Sequence, residues 1–480
     1  MDKQIYRKDM AECVLCMDPP CSEACSEMDA GRILRSIWFD NERGAALKLT
    51  EACVSCNGEC EKACIRDVPI RKVMLKLSKV QADRNMILDE KLLESEICGI
   101  RIENPFLLSS SVVGSTYDMC ARAFDAGWAG VAFKTLSLME IHEASPRFSA
   151  IKGDIGAIAG FKNIEQLSDH TLEENLDIFR KLKENYPTKF LLASIMGRDE
   201  AEWEYLARKV TEAGADAIEL NFSCPNMVED GTGADTGQSP HLVELFTKAA
   251  KRGTDLPVLA KLTPNVDVMS PAAEAAAKGG ADGIAAINTI KSLIEIEPGS
   301  GRVAVGGFSG NAVRPIALRF ISELSQNEKL KGKHISGMGG IETWKDALSF
   351  MLLGATSVQV TTAVMQYGYR IIDDLKEGLL VFLQERNLTL KDVIGGMIRK
   401  VVDVEEIERD VVIYPKFLRD KCIGCGRCVI SCMDGGHQAL SLNENRKPIM
   451  EAQKCVGCHL CILVCPEEAI CSSGKAIRRK

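Results

Sequence analysis

The sequence contains no run of about 18 consecutive apolar residues, the least that a membrane-spanning helix needs, so no membrane association is expected. It has no basic excess either: 59 Lys and Arg stand against 67 Asp and Glu, a net charge of −8. Nucleic acid binding requires positive charge to neutralise phosphates, so no nucleic acid partner is expected. Residues Met1 to Met10 are polar and charged, without the apolar core of a signal peptide, and the expected location is cytoplasmic. No Gly-x-Gly-x-x-Gly follows a candidate strand, so the usual dinucleotide fingerprint is missing. Cysteine is scarce through the long middle of the chain, where Cys98, Cys120 and Cys224 stand alone.

Cysteine is instead concentrated at the two ends. Of 20 cysteines, eight lie between Cys13 and Cys64 and nine between Cys422 and Cys471. In a reducing compartment so many thiols are seldom disulfides; they are metal ligands, redox groups or small buried side chains. Their distribution divides the 480 residues into three parts, 1–80, 81–405 and 406–480. Hydrophobic content of 46% and charged content of 26% are ordinary for a globular chain with a large core.

In the last part, Cys422-x2-Cys425-x2-Cys428-x3-Cys432 recurs as Cys455-x2-Cys458-x2-Cys461-x3-Cys465. Three closely spaced thiolates wrap one cubane, and the fourth cysteine of each run crosses to the other cluster. One [4Fe–4S] cluster is expected on Cys422, Cys425, Cys428 and Cys465, the second on Cys455, Cys458, Cys461 and Cys432. Pro466 follows Cys465 as the bacterial ferredoxin pattern has it, whereas Met433 follows Cys432. Zinc prefers two separated pairs and is the weaker alternative.

The first part reads Cys13-x2-Cys16-x4-Cys21-x3-Cys25, then a helical stretch over Ile33 to Leu49, then Cys56-x3-Cys60-x3-Cys64. This spacing is not that of a ferredoxin. It resembles the helical iron–sulfur domain of eukaryotic-type dihydropyrimidine dehydrogenases and of the glutamate synthase small subunit. The resemblance implies one cluster on Cys13, Cys16, Cys21 and Cys64, and three corners of another on Cys25, Cys56 and Cys60. Those dehydrogenases complete the second cluster with a glutamine. Val68 to Leu77 holds none, and Cys53 is the substitute expected here. Zinc or a single cluster are the alternatives.

Between Leu92 and Lys400 apolar strands alternate with helical stretches, the rhythm of parallel βα units. Eight strands are expected: Asn104 to Ser111, Gly130 to Leu136, Phe190 to Gly197, Ala217 to Ser223, Val258 to Pro264, Gly283 to Thr289, His334 to Gly339 and Ser357 to Thr362. Eight units predict a (β/α)8 barrel, an α/β fold with its chemistry at the C-terminal strand ends. Those ends carry Lys134-Thr135, Asn221-Phe222-Ser223, Lys261, Asn288-Thr289, Gly339-Gly340 and Thr361-Thr362. A Gly-Gly turn after strand seven is a common barrel phosphate site.

The segments Asn-x-Ser-Cys-Pro-Asn from Asn221, Ala-Lys-Leu-Thr-Pro-Asn from Ala260, Asn288-Thr289 and Gly-Gly-x-Ser-Gly over Gly306 to Gly310 follow in this order. They resemble the FMN barrel of dihydropyrimidine and dihydroorotate dehydrogenases. The resemblance implies FMN at the barrel mouth, contacted by Ser109, Lys134, Thr135, Lys261, Gly307, Gly339, Gly340, Thr361 and Thr362. It implies a pyrimidine held by Asn163, Asn221, Asn288 and Thr289. The chemistry agrees: a pyrimidine edge alternates carbonyls and N–H groups, and an asparagine offers both acceptor and donors without burying charge. Cys224, in the loop after strand four, is the expected catalytic acid, a thiol delivering a proton while FMN handles the hydride. Cys98 and Cys120 are expected in the core.

The reaction so implied is reduction of the C5=C6 bond of uracil or thymine, or its reverse. The chain then looks like the FMN half of such an enzyme. Electrons are expected from a separate FAD/NAD(P)H-binding subunit or from ferredoxin, in a homodimer or heterotetramer. The competing readings are a dihydroorotate dehydrogenase catalytic subunit, an enzyme for some other unsaturated heterocycle, and an electron-transfer protein with an inactive barrel.

Overall fold

A computed structural model describes residues 6, 9–153, 158–227, 231–294, 296, 299, 301 and 303–478. The chain forms two compact units, Met1–Arg399 and Lys400–Lys480. Among the described residues no helix is long and apolar enough to cross a membrane.

The first unit is built on eight parallel strands: β1 (Phe106–Leu108), β2 (Gly130–Ala132), β3 (Phe190–Ile195), β4 (Ala217–Asn221), β5 (Val258–Lys261), β6 (Gly283–Ala286), β7 (His334–Met338) and β8 (Ser357–Val360). Each pairs in parallel with its neighbour in sequence, and β8 pairs with β1, Val358 opposite Phe106, to close the barrel. All eight expected strands are present; Asn221 and Lys261 form the last rung between β4 and β5, while other expected site residues lie beyond the ladders. Lys134, Ser223, Asn288 and Gly339 lie just past the last paired residue, where side chains are released from sheet geometry. Gly130 is required where β2 meets β3: a Cβ there would sit 2.3 Å from the carbonyl oxygen of Phe190.

A hairpin, Ser95–Ile97 with Ile100–Ile102, closes the barrel floor. Ile97 and Ile102 are buried against Leu107, Phe190, Leu192 and Leu259. Its turn is Cys98-Gly99, both at positive φ (48° and 85°), as a two-residue primed turn demands. Cys98 is therefore a half-buried turn residue and not the core residue expected, whereas Cys120 is fully buried. A four-stranded antiparallel sheet is assembled from two insertions, with Gly306–Ser309 between Ile290–Ser292 and Ile158–Asn163, and Phe148–Lys152 on the far edge. Its register sets Gly307 opposite Asn163.

The N-terminal cysteines sit on short helices (Cys21, Cys53 and Cys60) and on the loops that flank them (Cys13, Cys16, Cys25, Cys56 and Cys64). The expected helix over Ile33 to Leu49 is two, α1 (Ala30–Trp38) and α2 (Glu42–Leu47), broken at Asp40 with φ 63°. Asp29 caps α1 by accepting from the amide of Arg32, and Asn41 caps α2. Arg32 and Arg35 of α1 face Asp373, Asp374 and Glu377 on α3 (Ile371–Arg386), with Arg35 Nε 2.8 Å from Asp374 Oδ2. Lys48 pairs with Glu377 and Arg43 with Glu385. Phe39 meets Tyr367 edge-on at 5.0 Å. Burying so many paired charges fixes orientation more than it adds stability.

The second unit pairs Val411–Phe417 with Ile470–Arg478 and Leu440–Leu442 with Pro448–Met450. Helices Arg427–Gly435 and Leu460–Leu463 follow the first two cysteines of each run and carry the third, Cys428 and Cys461.

Candidate active site and cluster sites

One cavity opens at the C-terminal ends of the barrel strands. Ser109, Lys134, Thr135, Asn163, Asn221, Cys224, Lys261, Asn288, Thr289, Gly339, Gly340, Thr361 and Thr362 all line it. Gly307 does not: its neighbours Phe308, Ser309 and Gly310 do. A Cβ on Gly307 would lie 2.2 Å from Thr289 Oγ1, so this glycine lets the insertion sheet press close behind the site. The reading of single motifs missed the aromatic side of the cavity, Phe148, Phe161 and Phe308, because these residues come from two insertions far apart in sequence.

The amides form two hydrogen-bonded sets, one around Asn221 and one around Asn226. Asn221 Nδ2 donates to Thr135 Oγ1 at 2.9 Å, and its Oδ1 accepts from the Ser223 hydroxyl at 2.8 Å. Ser223 Oγ in turn accepts from Asn288 Nδ2 at 2.8 Å. Asn226 Nδ2 donates to Asn163 Oδ1 at 3.3 Å and to the carbonyl of Glu165 at 2.8 Å, tying the β4 loop to the insertion sheet. Asn226 thus positions Asn163 and is not itself part of the lining. Such mutual bonding fixes each amide's orientation before anything binds.

Both cavity lysines are buried and face carboxylates. Lys134 Nζ lies 3.7 Å from Glu143 and 4.0 Å from Glu165. Lys261 Nζ lies 3.2 Å from Glu219 Oε1, deep in the barrel, and 3.4 Å from Ser109 Oγ. Glu219 carried a signal that strand reading could have used, a charge at an inward position of an otherwise apolar strand. Burial raises the Glu165 carboxyl, against the pull of Lys134.

Cys224 is buried in the cavity wall. Burial pushes its thiol up to about 11. Glu143 adds to this, while the Asn226 backbone, Lys261 and Lys134 oppose it. At neutral pH it is a protonated acid and not a thiolate.

These residues suit FMN. The left-handed Gly339-Gly340 turn (φ 120° and 80°) closes on Gly310, and a Cβ on Gly340 would sit 2.8 Å from the Gly310 carbonyl. This side-chain-free, half-buried turn, in the lining with Thr361 and Thr362, could hold a phosphate. Lys261, also in the lining, could meet the flavin edge that becomes negative on reduction.

The cysteines gather as sets. Burial raises the Cys21 thiol to about 11, and Cys13, Cys64 and Cys16 raise it further. Cys53 is raised to about 11 by burial and then by Cys56, Cys60 and Cys25. In the second unit Cys428 is raised by burial and by Cys465, Cys422 and Cys425. Cys461 is raised to about 11 by burial and then by Cys428, Cys455, Cys458 and Cys432. Cys465 thus stands near the first run and Cys432 near the second. Backbone amides donate to both: Ala439 to Cys432 Sγ at 3.3 Å and Ala469 to Cys465 Sγ at 3.2 Å. Among the described residues no three His, Cys, Asp or Glu side chains converge tightly enough for a single metal ion.

Residues 92–383 match the family model described as dihydroorotate dehydrogenase, and 417–471 match the 4Fe-4S dicluster domain. The chain is 52% identical over 367 residues to the NAD-dependent dihydropyrimidine dehydrogenase subunit PreA of Escherichia coli (strain K12), covering 74% of this chain and 89% of that one. It is 36% identical to the chloroplastic dihydropyrimidine dehydrogenase (NADP(+)) of Arabidopsis thaliana, over 68% of this chain and 80% of that one. It is also 36% identical to the catalytic subunit of dihydroorotate dehydrogenase B (NAD(+)) of Pyrococcus horikoshii, over 64% and 98%. The crystal structure of DHODH from Eimeria tenella in complex with ferulenol superposes with a TM-score of 0.54 at 20% identity, covering 65% of this chain and 90% of that one, and shares the fold. Neither family model reaches residues 1–91. The barrel is thus an FMN-binding barrel and the last unit a two-cluster [4Fe–4S] module, and the chain belongs to the dihydroorotate dehydrogenase family of oxidoreductases acting on CH–CH bonds, with the dihydropyrimidine dehydrogenase subunits among its relatives.

Proposed function

We propose that this chain is the FMN and iron–sulfur subunit of a dihydropyrimidine dehydrogenase, interconverting uracil or thymine and the 5,6-dihydropyrimidine. The observation that carries the reading is the buried Cys224 thiol in a cavity shared with the amides of Asn163, Asn221 and Asn288. Among the described lining residues the cations are Lys134 and Lys261, and each faces a carboxylate. A neutral ring suits such a site better than orotate, whose carboxylate would ask for an uncommitted cation.

FMN, when bound, carries the hydride to or from C6. Asn163, Asn221, Asn288 and Thr289 hold the ring edge, and Cys224 Sγ gives its proton to C5 in reduction and takes it back in oxidation. Ser109, Lys134, Thr135, Lys261, Gly339, Gly340, Thr361 and Thr362 hold the cofactor, with Gly307 supporting the wall behind Thr289. The aromatic side chains of Phe148, Phe161 and Phe308 keep water from the cavity.

Four clusters would give roughly sixteen irons per chain. The ligand sets are Cys13, Cys16, Cys21 and Cys64; Cys25, Cys53, Cys56 and Cys60; Cys422, Cys425, Cys428 and Cys465; and Cys455, Cys458, Cys461 and Cys432. The functional division is a cluster module over 1–80, the barrel over 81–405 and a ferredoxin-like module over 406–480. Electrons enter from a separate FAD/NAD(P)H subunit or ferredoxin, in a homodimer or heterotetramer.

The deciding experiment mixes the anaerobic holoprotein with dihydrouracil, dihydrothymine or dihydroorotate and follows flavin and cluster absorbance. Bleaching by the first two is expected. Bleaching by dihydroorotate alone would assign the orotate reaction, and none at all would sink the proposal.

A further inference from the structure

Glu219 is a buried carboxylate that the chemistry above leaves without a role. It precedes Asn221 by two residues on β4, so both side chains face the barrel interior. It is wholly shielded from solvent. Its Oε1 faces Lys261 Nζ on β5 at 3.2 Å, and its Oε2 accepts from Gln359 Nε2 on β8 at 3.1 Å. The same nitrogen of Gln359 donates to Ser336 Oγ at 3.2 Å, which supports that orientation of the amide. Both carboxylate oxygens therefore meet donors, an arrangement that suits the ionised form. Gln359 also lines the cavity, and its Oε1 is buried without a hydrogen-bond partner. Lys261, Glu219 and Gln359 thus form a relay of fixed polarity from the cavity into the barrel.

We propose that Glu219 sets the electron affinity of FMN by acting through Lys261, an inference that rests on the placement of FMN proposed above. Two-electron reduction leaves negative charge on the flavin N1–C2=O edge. A lone buried cation beside that edge would stabilise the reduced flavin strongly, because charges interact more strongly away from water. Such a flavin would be a reluctant hydride donor. The carboxylate behind Lys261 makes the pair neutral overall, so the ammonium offers a positioned hydrogen bond without a full uncompensated charge. Glu219 is a positioning residue in this scheme, and Gln359 holds it in the acceptor state.

The test is an anaerobic spectroelectrochemical titration of the FMN in the holoprotein and in Glu219→Gln, Lys261→Met and the double variant. Glu219→Gln should raise the ratio of reduced to oxidised flavin at fixed potential by at least about tenfold, about 30 mV upward for a two-electron couple. Lys261→Met should move it the other way. The double variant, neutral like the wild type, should return toward the wild-type value. A role in packing alone would not give shifts of opposite sign that cancel. A change of less than about threefold in Glu219→Gln, or a downward one, overturns the inference. If Glu219→Gln fails to fold with FMN, the comparison becomes Lys261→Met against the double variant. A ratio about tenfold higher in the double is then expected, and equality overturns the inference. A wild-type protein that binds no FMN would instead overturn the cofactor placement, which is a separate outcome.

Discussion

Arg370 donates from Nη1 to the backbone carbonyl of Cys16 at 3.0 Å, and from Nη2 to that of Leu15 at 2.6 Å. Arg370 lies eight residues beyond Thr362, at the start of α3, and Cys16 belongs to the first proposed cluster set. The barrel thus holds a cluster loop through a guanidinium, while α1 and α3 hold the surrounding helices through Arg32, Arg35, Asp373 and Asp374.

Removing that guanidinium should loosen the loop and leave the barrel intact. Charge-assisted hydrogen bonds contribute roughly 1.5–3 kcal/mol each. Arg370→Leu should therefore lower the local opening free energy of residues 13–17 by about 2 kcal/mol or more, read as faster amide exchange there. Exchange at wild-type rates would show that the module is held by α1 and α3 alone.

Cys224→Ala should keep flavin and clusters but lose at least about a hundredfold in turnover, the usual size of an acid–base contribution. Because the thiol is raised to about 11, its protonated form persists through neutral pH. Reduction of uracil should accordingly be insensitive to this group from pH 6 to 9, on the order of its whole working range, and decline on the alkaline side. A stopped-flow pH profile that fell through pH 7 would assign the proton to another group.

Iron content tests the N-terminal sets. The wild type should carry roughly sixteen irons per chain. Cys53→Ser should give roughly twelve if the cluster is lost, or roughly fifteen if a three-iron form survives, with an altered low-temperature electron paramagnetic resonance spectrum. Cys120→Ser, in the barrel core, should leave the count unchanged. Full iron in Cys53→Ser would return the fourth corner to a non-cysteine ligand.

His334, at the start of β7, is buried and bonded to Ser357 and Thr356. Burial pushes its pKa down to about 4, against an unfolded value of about 6.5. Between these values the unfolded chain binds the extra proton, so this group's stability is full above about pH 6.5 and lost as pH falls toward 4. The loss amounts to about 3 kcal/mol. The slope of the urea midpoint against pH in this window should be shallower in His334→Asn than in the wild type.

Much of the molecule follows from local spacing. The doubled Cys-x2-Cys-x2-Cys-x3-Cys run points to a two-cluster module because three of the four ligands of each cluster stand close together in sequence. The eight strands and their functional C-terminal ends follow from apolar runs alternating with helical stretches, since barrel topology is built from neighbours in sequence. Asn221, Cys224, Lys261 and the Gly339-Gly340 turn were legible for that reason.

What needed the tertiary structure are contacts between distant segments. The grouping of Cys53 with Cys25 and Cys60 depends on how short helices fold back, which spacing leaves open. Phe148, Phe161 and Phe308 meet at the mouth because two insertions pair into one sheet. Glu219 gains its meaning from Lys261 and from Gln359, 140 residues away. The sequence by itself determined which chemistries are present, because ligand spacing and strand ends are local. The tertiary structure decided which charges are balanced and which are held in reserve, because the energy of a buried ionic group depends on the partners that folding brings to it.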